Sequence, residues 1–302
     1  MIEINGVSKR FGKVVALDNV SFSVKNGEVV GYVGPNGAGK TTTIRIAVGV
    51  LPPDSGDVII DGYSVTREKP KACARIGWVP ESPIFEMEFK ALDYFIYLAT
   101  YKGLSVPEAR RVGKELLELV GLGDAMNRKL ATFSLGMKKR FALAVSMIGD
   151  PQNFIFDEVL NGLDPQGIMF FRRVVEDFRR KGKAVLFSSH ILSEVQMIAD
   201  RVVFINKGRI IGVYTMDEVV KLASPHIVIG LKQIDNGAIS ILSRFGEVEV
   251  SGNRVILRNP KAEPSKILEE LVKSGYSVEE FRVGEERTLE ELFMKLIGGE
   301  TR

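Results

Sequence analysis

Between residues 34 and 42 the chain reads Gly-Pro-Asn-Gly-Ala-Gly-Lys-Thr-Thr, a spacing of glycines, one lysine and two hydroxyls suited to phosphate. Gly34, Gly39, Lys40 and Thr41 fill the fixed positions of G-x-x-x-x-G-K-[S/T], with Pro35, Asn36, Gly37 and Ala38 between them and Thr42 after. Glycines let the backbone approach a polyphosphate closely, and successive N–H groups at a helix start form a positive concavity. Lys40 is positioned to reach the β- and γ-phosphates, and the Thr41 hydroxyl to ligate Mg²⁺. A second cluster ends the apolar run Phe154-Ile155-Phe156 in two carboxylates, Asp157 and Glu158. Asp157 is placed to hold Mg²⁺ through water, opposite Thr41. Glu158, one residue on, points differently and is placed to take a proton from an attacking water. Both clusters point to a nucleotide site.

The elements around these residues must present them. Val29-Val30-Gly31-Tyr32-Val33 reads as a buried strand entering the phosphate loop, and residues 43–48 open a helix after it. Residues 153–156 and 184–187 are short apolar runs of parallel-sheet type, separated by a basic amphipathic helix over 165–181. Such alternation predicts a mostly parallel, three-layer α/β core. Residues 1–33 alternate apolar and polar positions, and Asn26-Gly27 predicts a hairpin into the strand that feeds the loop. Phe11, just before Gly12, is either a core aromatic or a platform on which an adenine stacks. Residues 52–56 break the chain, and 58–62 read as a short strand and turn. Residues 85–132 read as almost wholly helical, with a capping box at Ser105 and Glu108, Pro107 inside the first turn and Gly121 past the end.

Near Ser224-Pro225 the character changes, which sets expected domains at 1–224, with a helical lobe at 85–132, and 225–302. The second part reads strand, helix, strand, strand, helix, strand, the split βαβ order of a small ferredoxin-like α+β domain. A last helix is expected from the capping box Thr288-Leu289-Glu290-Glu291. This part carries no catalytic constellation, so its expected role is regulatory or dimer-bracing.

Composition narrows the function classes. Length allows about two domains with their own cores. A net charge of +3, with 11 basic and 13 acidic residues in 226–302, leaves no polybasic run to drive nucleic-acid or membrane binding. The lone Cys73 excludes an internal disulfide and reads as a small buried hydrophobe. His226, at the domain junction with no motif around it, reads as structural. No apolar run approaches the length of a membrane span and Met1-Ile2-Glu3 does not begin a signal peptide, so the expectation is a soluble, cytoplasmic protein.

The order of motifs resembles the nucleotide-binding subunit of an ATP-binding-cassette (ABC) transporter. Phe133-Ser134-Leu135-Gly136-Met137-Lys138-Lys139-Arg140 is similar to that family's signature, L-S-G-G-Q followed by basic residues, and it precedes the Asp157-Glu158 strand. Asn161-Gly162-Leu163-Asp164-Pro165 resembles the loop after that strand, Ser188-Ser189-His190 the switch histidine, and Trp78-Val79-Pro80-Glu81 the loop that senses the γ-phosphate. The resemblance covers roughly residues 1–220 and implies a P-loop ATPase of ABC type: a mostly parallel core sheet, an antiparallel β subdomain and a helical lobe. It implies ATP and Mg²⁺ as ligands, with His190 contacting the γ-phosphate beside Glu158. Ser134, through the Leu135 and Gly136 amides, would face the γ-phosphate of ATP held by a second cassette, so that ATP joins two subunits head to tail, and Asp164 is a further candidate nucleotide contact.

Three departures matter. Leu135 and Met137 replace Gly and Gln in the signature, and Glu81 replaces the usual glutamine, where a carboxylate can still ligand Mg²⁺. These variants, with a C-terminal extension, resemble the cassettes of drug, antibiotic and polysaccharide exporters. The resemblance implies a homodimer, or a heterodimer with a related cassette, peripheral on the cytoplasmic face of the membrane through an integral permease and with no nucleic-acid partner. The competing reading is a soluble ABC ATPase acting on ribosomes or nucleic acid; one cassette without sustained heptads argues against it.

Overall fold

Strands of two kinds alternate along the first part of the chain, and they build two different sheets. The computed structural model describes residues 1–284 apart from Ser224 and Asn253. β1 (Ile2–Phe11) and β2 (Val14–Val24) alternate between buried and open positions and pair antiparallel, with Ile4 opposite Phe22. β3 (Val29–Val33) is buried at every position, the pattern of a strand covered on both faces. It runs into α1 (Lys40–Ala47). β4 (Ser55–Ile60) returns antiparallel to β1, and β5 (Tyr63–Ser64) to β4, which completes a four-stranded sheet in the order β2-β1-β4-β5.

After α2 (Lys69–Cys73), β6 (Ile76–Val79) rejoins the sheet of β3. A helical stretch follows: α3 (Ala91–Tyr101), α4 (Val106–Leu119) and α5 (Leu135–Ser146). Then β7 (Asn153–Phe156), α6 (Pro165–Arg180), β8 (Ala184–Ser189), α7 (Leu192–Ile198), β9 (Arg201–Asn206) and β10 (Arg209–Thr215) close a six-stranded sheet ordered β10-β9-β3-β8-β7-β6. Within it β9, β3, β8, β7 and β6 run parallel. Ile2 and Val58 of one sheet, Tyr32 and Ile155 of the other, and Ile44 of α1 share a single apolar cluster. The phosphate-loop helix is thus packed against both sheets. Parallel direction brings the carboxyl ends of β3, β8, β7 and β6 to one edge, where ligands sit in such sheets.

Three local expectations are corrected. Asn26-Gly27 makes a turn, Gly27 at φ 74, but not a hairpin, because β2 and β3 belong to different sheets. A fully apolar strand gains more between two parallel partners than on the edge of a half-exposed ribbon. Residues 85–90 are not helical; the backbone there hydrogen-bonds to 130 and 131 instead, Leu130 N to Phe89 O at 3.0 Å and Ala131 N to Met87 O at 2.9 Å. Ser105 does occupy the N-cap of α4, but its side chain makes no capping bond.

Contacts divide the chain after Tyr214, so that α8 (Met216–Ala223) goes with the second unit, earlier than the compositional change near Ser224 suggests. That unit continues β11 (His226–Leu231), α9 (Asn236–Ser243), β12 (Glu247–Ser251), β13 (Arg254–Arg258), α10 (Pro264–Lys273) and β14 (Val278–Gly284). Its antiparallel sheet is ordered β12-β13-β11-β14, the split βαβ arrangement, around a core of its own that includes Ile227, Leu242, Leu257 and Leu271. His226 stands in this sheet between Arg258 and Gly284. The helix expected from Thr288 lies outside the described residues. Among the described residues no helix is long and apolar enough to cross a membrane. Cys73 is half-buried and without a disulfide, and burial pushes its thiol up, away from the reactive thiolate.

Candidate functional site

The loop between β3 and α1 is shaped by close approach. A methyl group at Gly34 would sit 2.4 Å from the Ile205 carbonyl oxygen, and one at Gly39, where φ is 112, would meet Leu17 at 2.7 Å. Gly37 also has positive φ, 78, but faces open space. The Lys40 ammonium lies under the loop, donating to the Gly34 carbonyl at 2.7 Å and to that of Pro35 at 3.3 Å. Its third neighbour is Glu158, whose Oε1 is 3.1 Å away. This is a cation held between two loop carbonyls and a carboxylate.

β7 delivers Asp157 and Glu158 to the same edge. Thr41 Oγ1 donates to Asp157 Oδ1 at 3.3 Å, and Ser188 Oγ, at the end of β8, donates to the same oxygen at 2.8 Å. Burial pushes the Asp157 carboxyl up, the bonds from Ser188 and Thr41 oppose it, and the charges of Glu158 and Glu81 push it further up. A buried carboxylate so disfavoured in its ionised form is suited to a cation. Among the described residues no three His, Cys, Asp or Glu side chains are arranged to hold a metal unaided. Thr41 and Asp157 would therefore hold Mg²⁺ only together with water and phosphate oxygens, the ligands its chemistry favours. The donor set fits on those terms.

Glu158 turns away from Asp157 because its backbone lies in the left-handed region, φ 47, which is costly for a residue with a side chain. Ser188 Oγ accepts its N–H at 2.9 Å, and Asn161 Nδ2 donates to its Oε2 at 3.2 Å. His190 Nδ1 lies 2.8 Å from the same oxygen. Burial works against ionisation of Glu158, but the bond from His190 and the Lys40 charge outweigh it and hold the carboxyl below the usual range. The result is an ionised, oriented carboxylate 6% exposed at the foot of a cleft.

The cleft has a volume of about 310 Å³ and is lined by residues 14–16, residues 36–42, Glu81, Glu158, Asn161 and His190. It brings together the loop residues, Glu81, Glu158 and His190, with Asp157 buried beneath. Phe11 is half-exposed beside it, opposite Val14 on the β1–β2 hairpin, and does not line it. Ser134, Gly136 and Asp164 are also outside. Ser134 Oγ accepts the Met137 N–H at 3.2 Å and caps α5, while Asp164 accepts that of Gly167 at 2.7 Å and caps α6. Exposed Leu135 leans towards Gly162, so these two helix starts lie side by side. Sequence reasoning missed Asn161 and Ser188 as supports of Glu158 and Asp157; two serines closing a buried strand were the available signal for the latter.

The family model described as ABC transporter matches residues 17–161. The ABC transporter ATP-binding protein YhcH of Bacillus subtilis is 34% identical over 299 residues, 99% of this chain and 96% of that protein. The bacitracin transport ATP-binding protein BcrA of Bacillus licheniformis is 32% identical over 305 residues, 100% of this chain and 98% of that protein. A solved structure of an ATP-binding subunit of an ABC transporter superposes with a TM-score of 0.68 at 29% identity, over 74% of this chain and 92% of that one.

Proposed function

The chain belongs to the ATP-binding subunits of ABC transporters, and from that membership we propose that its ATPase cycle drives export of a solute through a separate membrane permease. The observation that carries the catalytic half is Glu158, held between Lys40 at 3.1 Å and His190 at 2.8 Å at the mouth of the phosphate loop. When ATP enters, its γ-phosphate competes for Lys40 and frees one oxygen of Glu158. His190 and Asn161 keep the carboxylate aimed. Glu158 takes a proton as the water oxygen bonds to the γ-phosphorus; the bond to the bridging oxygen breaks and ADP leaves with its electrons. Mg²⁺ at Thr41, Asp157 and Glu81 would supply charge that offsets the phosphates. Phe11 is one hairpin position from the cleft and near enough to receive the base.

The capped ends of α5 and α6 supply the second half. Ser134, Gly136 and Asp164 lie outside their own cleft, and the Ser134 cap takes only one N–H of the first turn of α5, which leaves its neighbours for an anion. We assign Ser134 and Gly136 to the γ-phosphate on a second copy of the chain or on a related cassette, with Asp164 beside them on the same face, so that ATP closes the dimer. The exporter reading follows the names of the relatives, bacitracin transport among them. Membrane attachment would come through the permease. Ile84 is 90% exposed and Phe89 50%, whereas Phe85 meets Phe141 edge-to-face at 4.9 Å and Tyr94 stacks with it at 6.3 Å. Ile84 and Phe89 form the contact, with the packed rings as its floor. The second unit, 215–302, would brace or regulate the dimer. The test is recovery of the tagged chain from membranes: an integral membrane protein should accompany wild type and be lost from Ile84→Glu/Phe89→Glu, which still hydrolyses ATP. Equal recovery from both would place the coupling surface elsewhere.

A further inference from the structure

Lys139 is a lysine that the phosphate chemistry does not use, and it is 3% exposed. Its neighbours Lys138 and Arg140 are more open, and a helix of this kind gains nothing by burying a charge without cause, since desolvating an ammonium is costly unless its protons are satisfied. The satisfaction comes from one place. Nζ donates to the carbonyl of Val159 at 2.9 Å and to that of Asn161. Those two carbonyls belong to the turn that begins at Glu158 with φ 47. The turn is strained and needs outside support, and Lys139 provides it at two carbonyls just after the strained residue. Bonds from a charged donor are about twice as strong as neutral ones.

We propose that Lys139 is a positioning residue for Glu158, tying the turn that aims the base to helix α5. The proposal rests on the reading of Glu158 as the base and of the α5 N-terminus as the end that meets the other subunit's nucleotide. α5 begins at Ser134 and also packs against α3 and α4 of the helical lobe. Lys139 therefore joins three things in one side chain: the end facing the partner, the lobe facing the permease and the turn holding the base. A shift of α5 in either direction moves the two carbonyls and with them the carboxylate. The negative groups acting on Lys139 are Glu81 and Glu158, so it also offsets the acid that this chain carries in place of the family's glutamine.

The experiment uses the full chain and compares Lys139→Met with Glu158→Gln and the double variant, reading kcat and KM for MgATP and Kd for ADP by calorimetry. Lys139→Met keeps length and loses the donors. The turnover should fall about ten- to hundredfold, as a misaimed group costs, with ADP affinity within about twofold. In the Glu158→Gln background the same change should alter the residual rate by less than about twofold, because Lys139 acts through that carboxylate. A purely structural lysine would instead multiply its loss onto Glu158→Gln and weaken ADP as well, and that result overturns the proposal. So does a Lys139→Met protein with wild-type turnover beside an inactive Glu158→Gln. If Glu158→Gln itself turns over normally, the reading of the base has failed first. Should Lys139→Met not fold, Lys139→Gln, which keeps an amide donor without the charge, takes its place under the same criteria.

Discussion

Replacing Glu158 by glutamine removes the proposed base and leaves its shape, and the structure fixes what else must change. All three groups around the carboxylate are donors: Lys40 Nζ at 3.1 Å from Oε1, with His190 Nδ1 at 2.8 Å and Asn161 Nδ2 at 3.2 Å from Oε2. A carboxylate accepts from all of them, whereas an amide presents one oxygen and one NH₂. The oxygen should stay with the pair, His190 and Asn161, and turn the NH₂ towards Lys40. Lys40 then loses a competitor for the nucleotide. Loss of general-base catalysis costs about 10²–10⁴ in turnover, or about 2.7–5.4 kcal/mol in activation free energy. Release of one competing contact, worth about 0.5–1.5 kcal/mol, should raise ATP affinity about two- to tenfold. Phosphate release under saturating MgATP gives the first number and calorimetric titration the second. Turnover within about threefold of wild type would refute the base, and an affinity that falls tenfold would refute the competition for Lys40.

Gly37→Ala faces open space and should cost only the left-handed conformation, about 1 kcal/mol, whereas Gly34→Ala drives a methyl to 2.4 Å from the Ile205 carbonyl oxygen and should abolish ATP binding; thermal melts and titration compare them. Phe11→Ala should raise KM for ATP by about tenfold if the ring stacks on adenine, and leave it unchanged if Phe11 is only a surface partner of Lys9, 5.9 Å from its ring. At Asp57, burial pushes the carboxyl up, but bonds from Ser64 at 2.6 Å and Thr66 at 2.8 Å hold it below the usual range. Its stabilisation is present above the unfolded value near 3.9 and lost as pH falls through the folded one. The gap in Tm between wild type and Asp57→Asn should therefore narrow as pH drops below about 4, and a gap constant with pH would contradict it.

Much of this was legible where chemistry and element type agree. A five-residue apolar run, a glycine loop and a helix opening at Thr43 specify one arrangement, though the helix begins earlier, at Lys40, and two carboxylates after Phe156 specify its partner strand. The misreadings share a cause, which is that local patterns do not say which sheet a strand joins. Asn26-Gly27 has hairpin chemistry, yet the turn it makes hands the chain from one sheet to another. Residues 85–90 look helical by composition but spend their hydrogen bonds on 130 and 131. Lys139 was invisible for the same reason: in sequence it is one of three basic residues after Met137, and only the fold shows that its ammonium is turned in to the carbonyls of Val159 and Asn161. The positive φ of Glu158 has no sequence signal at all, since glutamate is not a residue that favours it.

The central claim is that one chain holds only half of a hydrolytic site, the phosphate loop and Glu158, while Ser134 at the end of α5 completes another chain's site. Sedimentation of Glu158→Gln with saturating MgATP tests it most directly, with Ser134→Arg added in a second protein. The account predicts that Glu158→Gln moves from the 33.4 kDa mass of one chain to twice that mass on addition of ATP. Glu158→Gln/Ser134→Arg should bind ATP equally well and remain at the single mass, because its loop is untouched and its α5 end is blocked. A double variant that still doubles its mass with ATP would contradict the assignment of Ser134 to the partner's nucleotide.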